Sequence, residues 1–114
     1  MPRNPDMIRI QHMLDAALEA CSFIRNKTQQ DLKENRQLLL SLIKEIEMIG
    51  EAANKLTLVF RKKYASVPWN IIIATRNRLI HGYFDIDVEI VWNTIQDQLP
   101  ILIGQLKSIL KKIS

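Results

Sequence analysis

The 114 residues of this chain predict an all-α fold, an antiparallel bundle of four to five helices, on three observations. Apolar residues recur at three- and four-residue steps along most of its length, the spacing that lines one face of a helix. Only three glycines are present, and a composition of 47% hydrophobic and 25% charged residues suits a helical core better than a turn-rich sheet. Residues that cap or stop helices stand where that periodicity breaks. The length fits one domain, residues 1–114, and there is no internal repeat, glycine-rich phosphate loop or low-complexity linker to divide it.

Asn4 can cap a first helix that opens on Pro5, whose missing N–H costs nothing there, with Asp6 near the positive end of the dipole. Met7, Ile10, Leu14, Ala17, Cys21 and Ile24 form its apolar seam, and Arg25, Asn26 and Lys27 are expected to close it. Thr28 and Asp31 read as a variant capping box. Leu32, Leu39, Leu42, Ile46, Ile49, Ala53, Leu56 and Phe60 then keep helical spacing without a proline, which predicts one long second helix over 28–63. At 1.5 Å per residue it would run roughly 54 Å, and its overhang would offer a partner surface. Glu47, Glu51 and Lys55 share another face of this helix, read as solvated, beside Gly50, where another backbone can come close. Val67-Pro68 ends the segment. A third helix starts near Pro68-Trp69, buries Ile71, Ile72 and Ile73 on most sides, and stops at Gly82. Asp87 can cap a last amphipathic helix through Val88, Trp92, Ile95, Leu99, Leu102, Leu106, Ile109 and Ile113, kinked at Pro100. Lys107, Lys111 and Lys112 suit its negative end.

A formal charge of +4 and a pI near 9.4 permit an anionic partner such as RNA without demanding one. Cys21 is the sole cysteine, so neither an intrachain disulfide nor a cysteine-built zinc site is possible. It reads as a small buried hydrophobe, and His12, on the far side of its helix from the seam, as a surface residue. The sequence holds no run of about 18 apolar residues and no secretory leader, so the expectation is a cytoplasmic protein that does not engage membranes.

One stretch departs from this scaffold: Arg76-Asn77-Arg78-Leu79-Ile80-His81-Gly82-Tyr83, a polar and basic cluster after a run of isoleucines. Asn77 and His81 lie about 40° apart on a helix and share a face, with Arg78 flanking His81. Arg76 and His81 stand about 140° apart, so a site using both needs a distorted last turn or a second copy of the motif across a dimer interface. Arginine, asparagine, histidine and tyrosine without a carboxylate cluster suit metal-free work on a phosphate. A histidine can take the proton of a ribose 2′-hydroxyl or protonate the leaving 5′-oxygen, and an arginine can hold the phosphate bidentately. The products would be a 2′,3′-cyclic phosphate and a 5′-hydroxyl. Neighbouring arginines would favour the neutral, basic form of His81.

The pattern Arg76-x4-His81-x-Tyr83, with Ile49-Gly50-Glu51-Ala52-Ala53, Pro68-Trp69, Asp87 through Val91-Trp92, and Leu99-Pro100 in order around it, resembles the HepT-type toxins of the HEPN superfamily over nearly the whole chain. That resemblance implies a HEPN helical fold, a homodimer with facing motifs, and a toxic, metal-independent endoribonuclease that needs no cofactor and prefers tRNA to mRNA. It implies that Arg76 and His81 are catalytic, that Asn77 and Arg78 support them or contact RNA, and that Tyr83 is modified with AMP from ATP by an MNT-type nucleotidyltransferase antitoxin. It gives Glu51 no catalytic role. The alternative on the same residues is a non-catalytic HEPN subunit that binds nucleotide or docks a nucleotidyltransferase.

Overall fold

A computed structural model describes residues 4–80 and 86–113 of the chain. Helix α1, Pro5–Phe23, begins as its sequence dictates: Asn4 Oδ1 accepts the Asp6 N–H at 2.8 Å, and Pro5 takes the first helical position. It buries Ile10, Met13, Leu14, Ala17 and Ala20. The helix ends before its cations, with Ile24 as cap, and Asn26 takes a left-handed turn at φ 61°. Thr28 then caps α2, Gln29–Glu34, in a reciprocal box: its N–H donates to Asp31 Oδ2 at 2.7 Å and its Oγ1 accepts the Asp31 N–H at 3.3 Å. Those Thr28 donors hold the Asp31 carboxyl below its usual range.

The long second helix expected over 28–63 is interrupted twice. Asn35 turns extended (φ −119°, ψ 94°) and its Oδ1 accepts the Leu38 N–H at 3.0 Å, which starts α3, Arg36–Asn54. A second break at Leu56 and Thr57 starts α4, Leu58–Lys63, with Thr57 as cap to Phe60 N–H. Both breaks sit at short polar side chains that offer the backbone a local alternative to the helix ladder. A straight helix of roughly 54 Å would outrun the longest dimension of the protein, 46 Å. Every residue of the predicted seam, from Leu32 to Phe60, is nevertheless buried. The folds at Asn35 and Thr57 turn that seam into the chain's own core, so it is not the partner surface that a continuous helix would have offered.

Asp6 secures the second break. Its buried carboxylate accepts the Thr57 N–H at 2.9 Å and the Thr57 hydroxyl at 2.8 Å, pinning the start of α4 to the start of α1 across 51 residues of sequence. Asp6→Ala leaves both donors unpaired, and about 2 kcal/mol of lost stability is expected, a fall of roughly 8 °C or more in Tm for a domain of this size. Thermal unfolding followed by circular dichroism checks this; a melting point within a degree of the parent would show the clamp to be idle.

Helix α5 spans Trp69–Ile80. Asp87 Oδ1 accepts the Glu89 and Ile90 N–H groups to open α6, Val88–Asn93. A π-helical stretch, Thr94–Gln98, then leads into α7, Leu99–Ile113. The Leu99 N–H reaches back to the Thr94 carbonyl, five residues away, so the turn is already widened where Pro100 can supply no N–H of its own. Val91, Ile95, Leu99, Leu102, Leu106 and Ile109 line the buried side of this composite helix. α1 packs on α3 and α7, and α3 packs on α5, around one apolar core. Among the described residues no helix is long and apolar enough to cross a membrane. Cys21 sits half-buried against this core with its Sγ 3.9 Å from the Ile95 carbonyl, and burial pushes its thiol pKa up, as an inert packing residue requires.

Candidate active site

Arg76 to Ile80 of the polar cluster stand on α5, and α5 is held at both ends. Phe60, Tyr64 and Trp69 form an aromatic knot, with Phe60 4.8 Å from Tyr64 and 6.4 Å from Trp69 between ring centres. Trp69 is buried, donates its indole N–H to the Tyr64 carbonyl at 3.1 Å, and so fixes where the helix begins. The Pro68 carbonyl accepts the first helical N–H groups, those of Ile71 and Ile72. At the other end Leu79 is buried in the core. The three isoleucines are less buried than their run suggests: Ile72 and Ile73 are half-buried and Ile71 is 60% exposed. Only one side of α5 faces α3, so a continuous apolar run must leave a residue outside.

Arg76 lies in the middle of that packed side. A Cβ built on Gly50 of α3 would come within 2.6 Å of Arg76 Cγ and 3.4 Å of the Ile72 carbonyl, and closer still to Arg76 Cβ. Gly50 is therefore a seat for the stem of Arg76. Glycine in a helix interior costs about 1 kcal/mol relative to alanine, and here the missing side chain is what lets the two helices approach. From that seat the Arg76 Nη1–H donates to Asn77 Oδ1 at 2.8 Å, while Nε is buried with no hydrogen-bond partner. A guanidinium carries five N–H donors in a fixed fork, so the head group retains donors for an anion. An unpaired buried donor costs on the order of 1–3 kcal/mol, more when charged, so Nε is a group that gains from a further acceptor.

Asn77 and Arg78 are exposed. The partner the structure gives Asn77 is Arg76, so its amide restrains the arginine. His81, Gly82 and Tyr83 lie outside the described residues, as does the expected stop of the helix at Gly82. On α3 the solvated-face reading holds for Glu51, which is exposed and pairs with Lys55 at 3.5 Å. It fails for Glu47, which is half-buried with an Oε1 that has no hydrogen-bond partner. Sequence spacing marked Gly50 as a point of close approach. It gave no sign that the approaching group is the stem of Arg76, since that depends on the register of α5 against α3.

The described residues form an all-helical bundle that seats an arginine near the end of one helix. A family model described as ribonuclease HepT-like matches residues 13–109, and the chain belongs to that HepT-like family of the HEPN superfamily. Among its relatives is "Putative RNase TTE0752" of Caldanaerobacter subterraneus subsp. tengcongensis, 35% identical over 103 residues, which are 87% of this chain and 92% of the relative. "Probable ribonuclease HepT" of Thermococcus cleftensis is 29% identical over 89 residues, 78% of this chain and 81% of the relative. "Putative RNase MJ0127" of Methanocaldococcus jannaschii is 29% identical over 113 residues, 99% and 93% of the two chains. No solved structure gives a significant match.

Proposed function

We propose that this chain is the toxin of a HEPN/MNT toxin–antitoxin pair, a metal-independent endoribonuclease that cuts RNA, tRNA in preference to mRNA, and is silenced when a nucleotidyltransferase transfers AMP to Tyr83. The observation that carries the reading is Arg76, seated on Gly50 with a buried, unpaired Nε, in a chain of the HepT-like ribonuclease family. In the reaction the ribose 2′-oxygen attacks the adjacent phosphorus as His81 takes its proton. The bond from phosphorus to the 5′-oxygen breaks as the imidazolium of His81 gives that proton to the departing oxygen, which leaves the histidine neutral again. The Arg76 fork holds the two non-bridging oxygens and stabilises the charge that gathers on them.

Residues this far apart around a helix are completed by a second copy of the motif, so the working form is a homodimer. Support comes from the open side of α5. There Ile71 and Ile101, 60% and 67% exposed, flank a hollow of about 290 Å³ lined by apolar side chains of α3, α5 and α7, the kind of surface a second copy would cover. The modification then has a physical rationale. An AMP group on Tyr83 brings about one negative charge and a purine to the phosphate site, a covalent mimic of the substrate.

Purified without a nucleotidyltransferase, the chain is expected to cut RNA in the presence of EDTA and leave 2′,3′-cyclic phosphate and 5′-hydroxyl ends. After incubation with an MNT-type enzyme and ATP, mass spectrometry should find AMP-sized additions on Tyr83 and cleavage should cease, while Tyr83→Phe keeps cutting and stays unmodified. A free dimer with no nuclease activity would favour a nucleotide-binding or docking subunit instead.

A further inference from the structure

A second polar feature lies on α1 and α3, built from residues with no part in the reaction above. Glu19 and Glu45 line one shallow hollow together with Phe23, Leu40, Ser41 and Lys44. Glu45 is only 5% exposed, and its Oε2 is buried without a hydrogen-bond partner. No ion pair joins Lys44 to either carboxylate, and the Ser41 hydroxyl is spent on the Gln37 carbonyl at 2.8 Å. Phe23 and Leu40, 36% and 41% exposed, give the hollow an apolar rim. Two carboxylates thus line one greasy notch, in a protein of formal charge +4.

We propose that this notch docks a protein partner through a lysine or arginine side chain, the cation bridging Glu19 and Glu45 while its aliphatic stem lies on Phe23 and Leu40. Charge complementarity selects a cation, because a neutral donor can satisfy a buried acceptor but only positive charge offsets the repulsion between two carboxylates. The rim selects a long basic side chain over a bare ion, which would gain nothing from apolar walls. A hydrated divalent ion is further disfavoured by ligand count, since among the described residues no third ligand-type side chain joins the pair. Nucleic acid, itself anionic, is repelled.

Burial first, and then the charge and hydrogen bonding of the Glu19 carboxylate, push the Glu45 carboxyl up to about 7. A proton on Glu45 competes with a bound cation for the same pair of carboxylates. The charged groups facing Glu45 are Glu19 from α1 and Lys44 from its own helix, so docking should strengthen as pH rises through neutrality and Glu45 ionises.

The probe is a short capped peptide with one arginine between leucines, compared with the same peptide carrying neutral citrulline, each titrated into the full chain by NMR. The arginine peptide is expected to give saturable shifts confined to Glu19, Phe23, Leu40 and Glu45, with a dissociation constant on the order of 1 mM. Shifts should be at least several-fold weaker at about pH 6 than at about pH 8, and absent with Glu45→Gln. That variant keeps the shape of the buried side chain and loses its charge. Equal shifts with the citrulline peptide, or none with either, would overturn the proposal on the unaltered protein alone. So would magnesium chloride moving the same residues when the arginine peptide does not. RNA cleavage is untouched by any of these outcomes, because the notch shares no residue with the proposed active site.

Discussion

Arg76→Ala protein should cleave RNA on the order of 10² to 10³ times more slowly than the parent while melting at nearly the same temperature. The effect is large because the arginine acts where charge develops on the phosphoryl oxygens. It is separable from folding because the guanidinium makes a single hydrogen bond, to the exposed Asn77, and alanine keeps the Cβ that lies nearest Gly50. Arg76→Lys should recover little, since a point charge replaces a planar fork. His81→Ala, which removes the proposed proton acceptor, should cost on the order of 10² to 10⁴. Mixing the two inactive variants tests where the site lies. If Arg76 of one protomer works with His81 of the other, a mixed dimer has one site carrying both substitutions and one intact, and about a quarter of parental activity returns in a statistical mixture. If each protomer is self-sufficient, nothing returns. Unaltered cleavage by the single variants would end the mechanism.

The residues that fill the core were legible in the sequence, and the path of the backbone through them less so. Periodicity identified each of the eight seam residues from Leu32 to Phe60, all of them buried. Spacing reports which side of a segment is apolar, and it stays in step through a short break provided the chain resumes in phase. Asn35 and Thr57 are such breaks. Each can sit on a helix surface or cap a new one, and the choice is made by groups far away in sequence, as when Asp6 takes both donors of Thr57. Ile71 shows the converse: an isoleucine amid isoleucines reads as core, and the structure leaves it on the open side of α5. For the site, the motif named Arg76 and the helix that carries it. The seat on Gly50 belongs to tertiary packing, and Asn77 as its hydrogen-bond partner is a matter of rotamer; neither has a signature in spacing.

That seat leads to the second large effect. Gly50→Ala adds one methyl group on α3, and it strikes Cγ and, more closely, Cβ of Arg76; a turn about χ1 can move Cγ, but Cβ is fixed to the backbone of α5 and no change of rotamer moves it. α5 must shift away, at a cost of about 1–3 kcal/mol for overpacking. A displacement near 1 Å at a catalytic group costs on the order of 10² in rate. Stability alone does not distinguish a damaged scaffold from a displaced arginine, so the informative comparison is made in an Arg76→Gly background. There both struck atoms are gone, and the next nearest atom to the added methyl is the Ile72 carbonyl oxygen at 3.4 Å, an ordinary contact. Alanine then contributes its better helix propensity, and Gly50→Ala should become neutral or stabilising by up to about 1 kcal/mol. Its effect on cleavage should vanish as well, with activity no lower in the double variant than in Arg76→Gly alone. A change of sign in stability between the two backgrounds, measured by denaturant unfolding, together with loss of the kinetic effect, would establish that the glycine acts through the arginine. If Gly50→Ala instead destabilised both backgrounds equally, its partner would lie elsewhere on α5, and the placement of Arg76 would have to come from Asn77 and Leu79 alone.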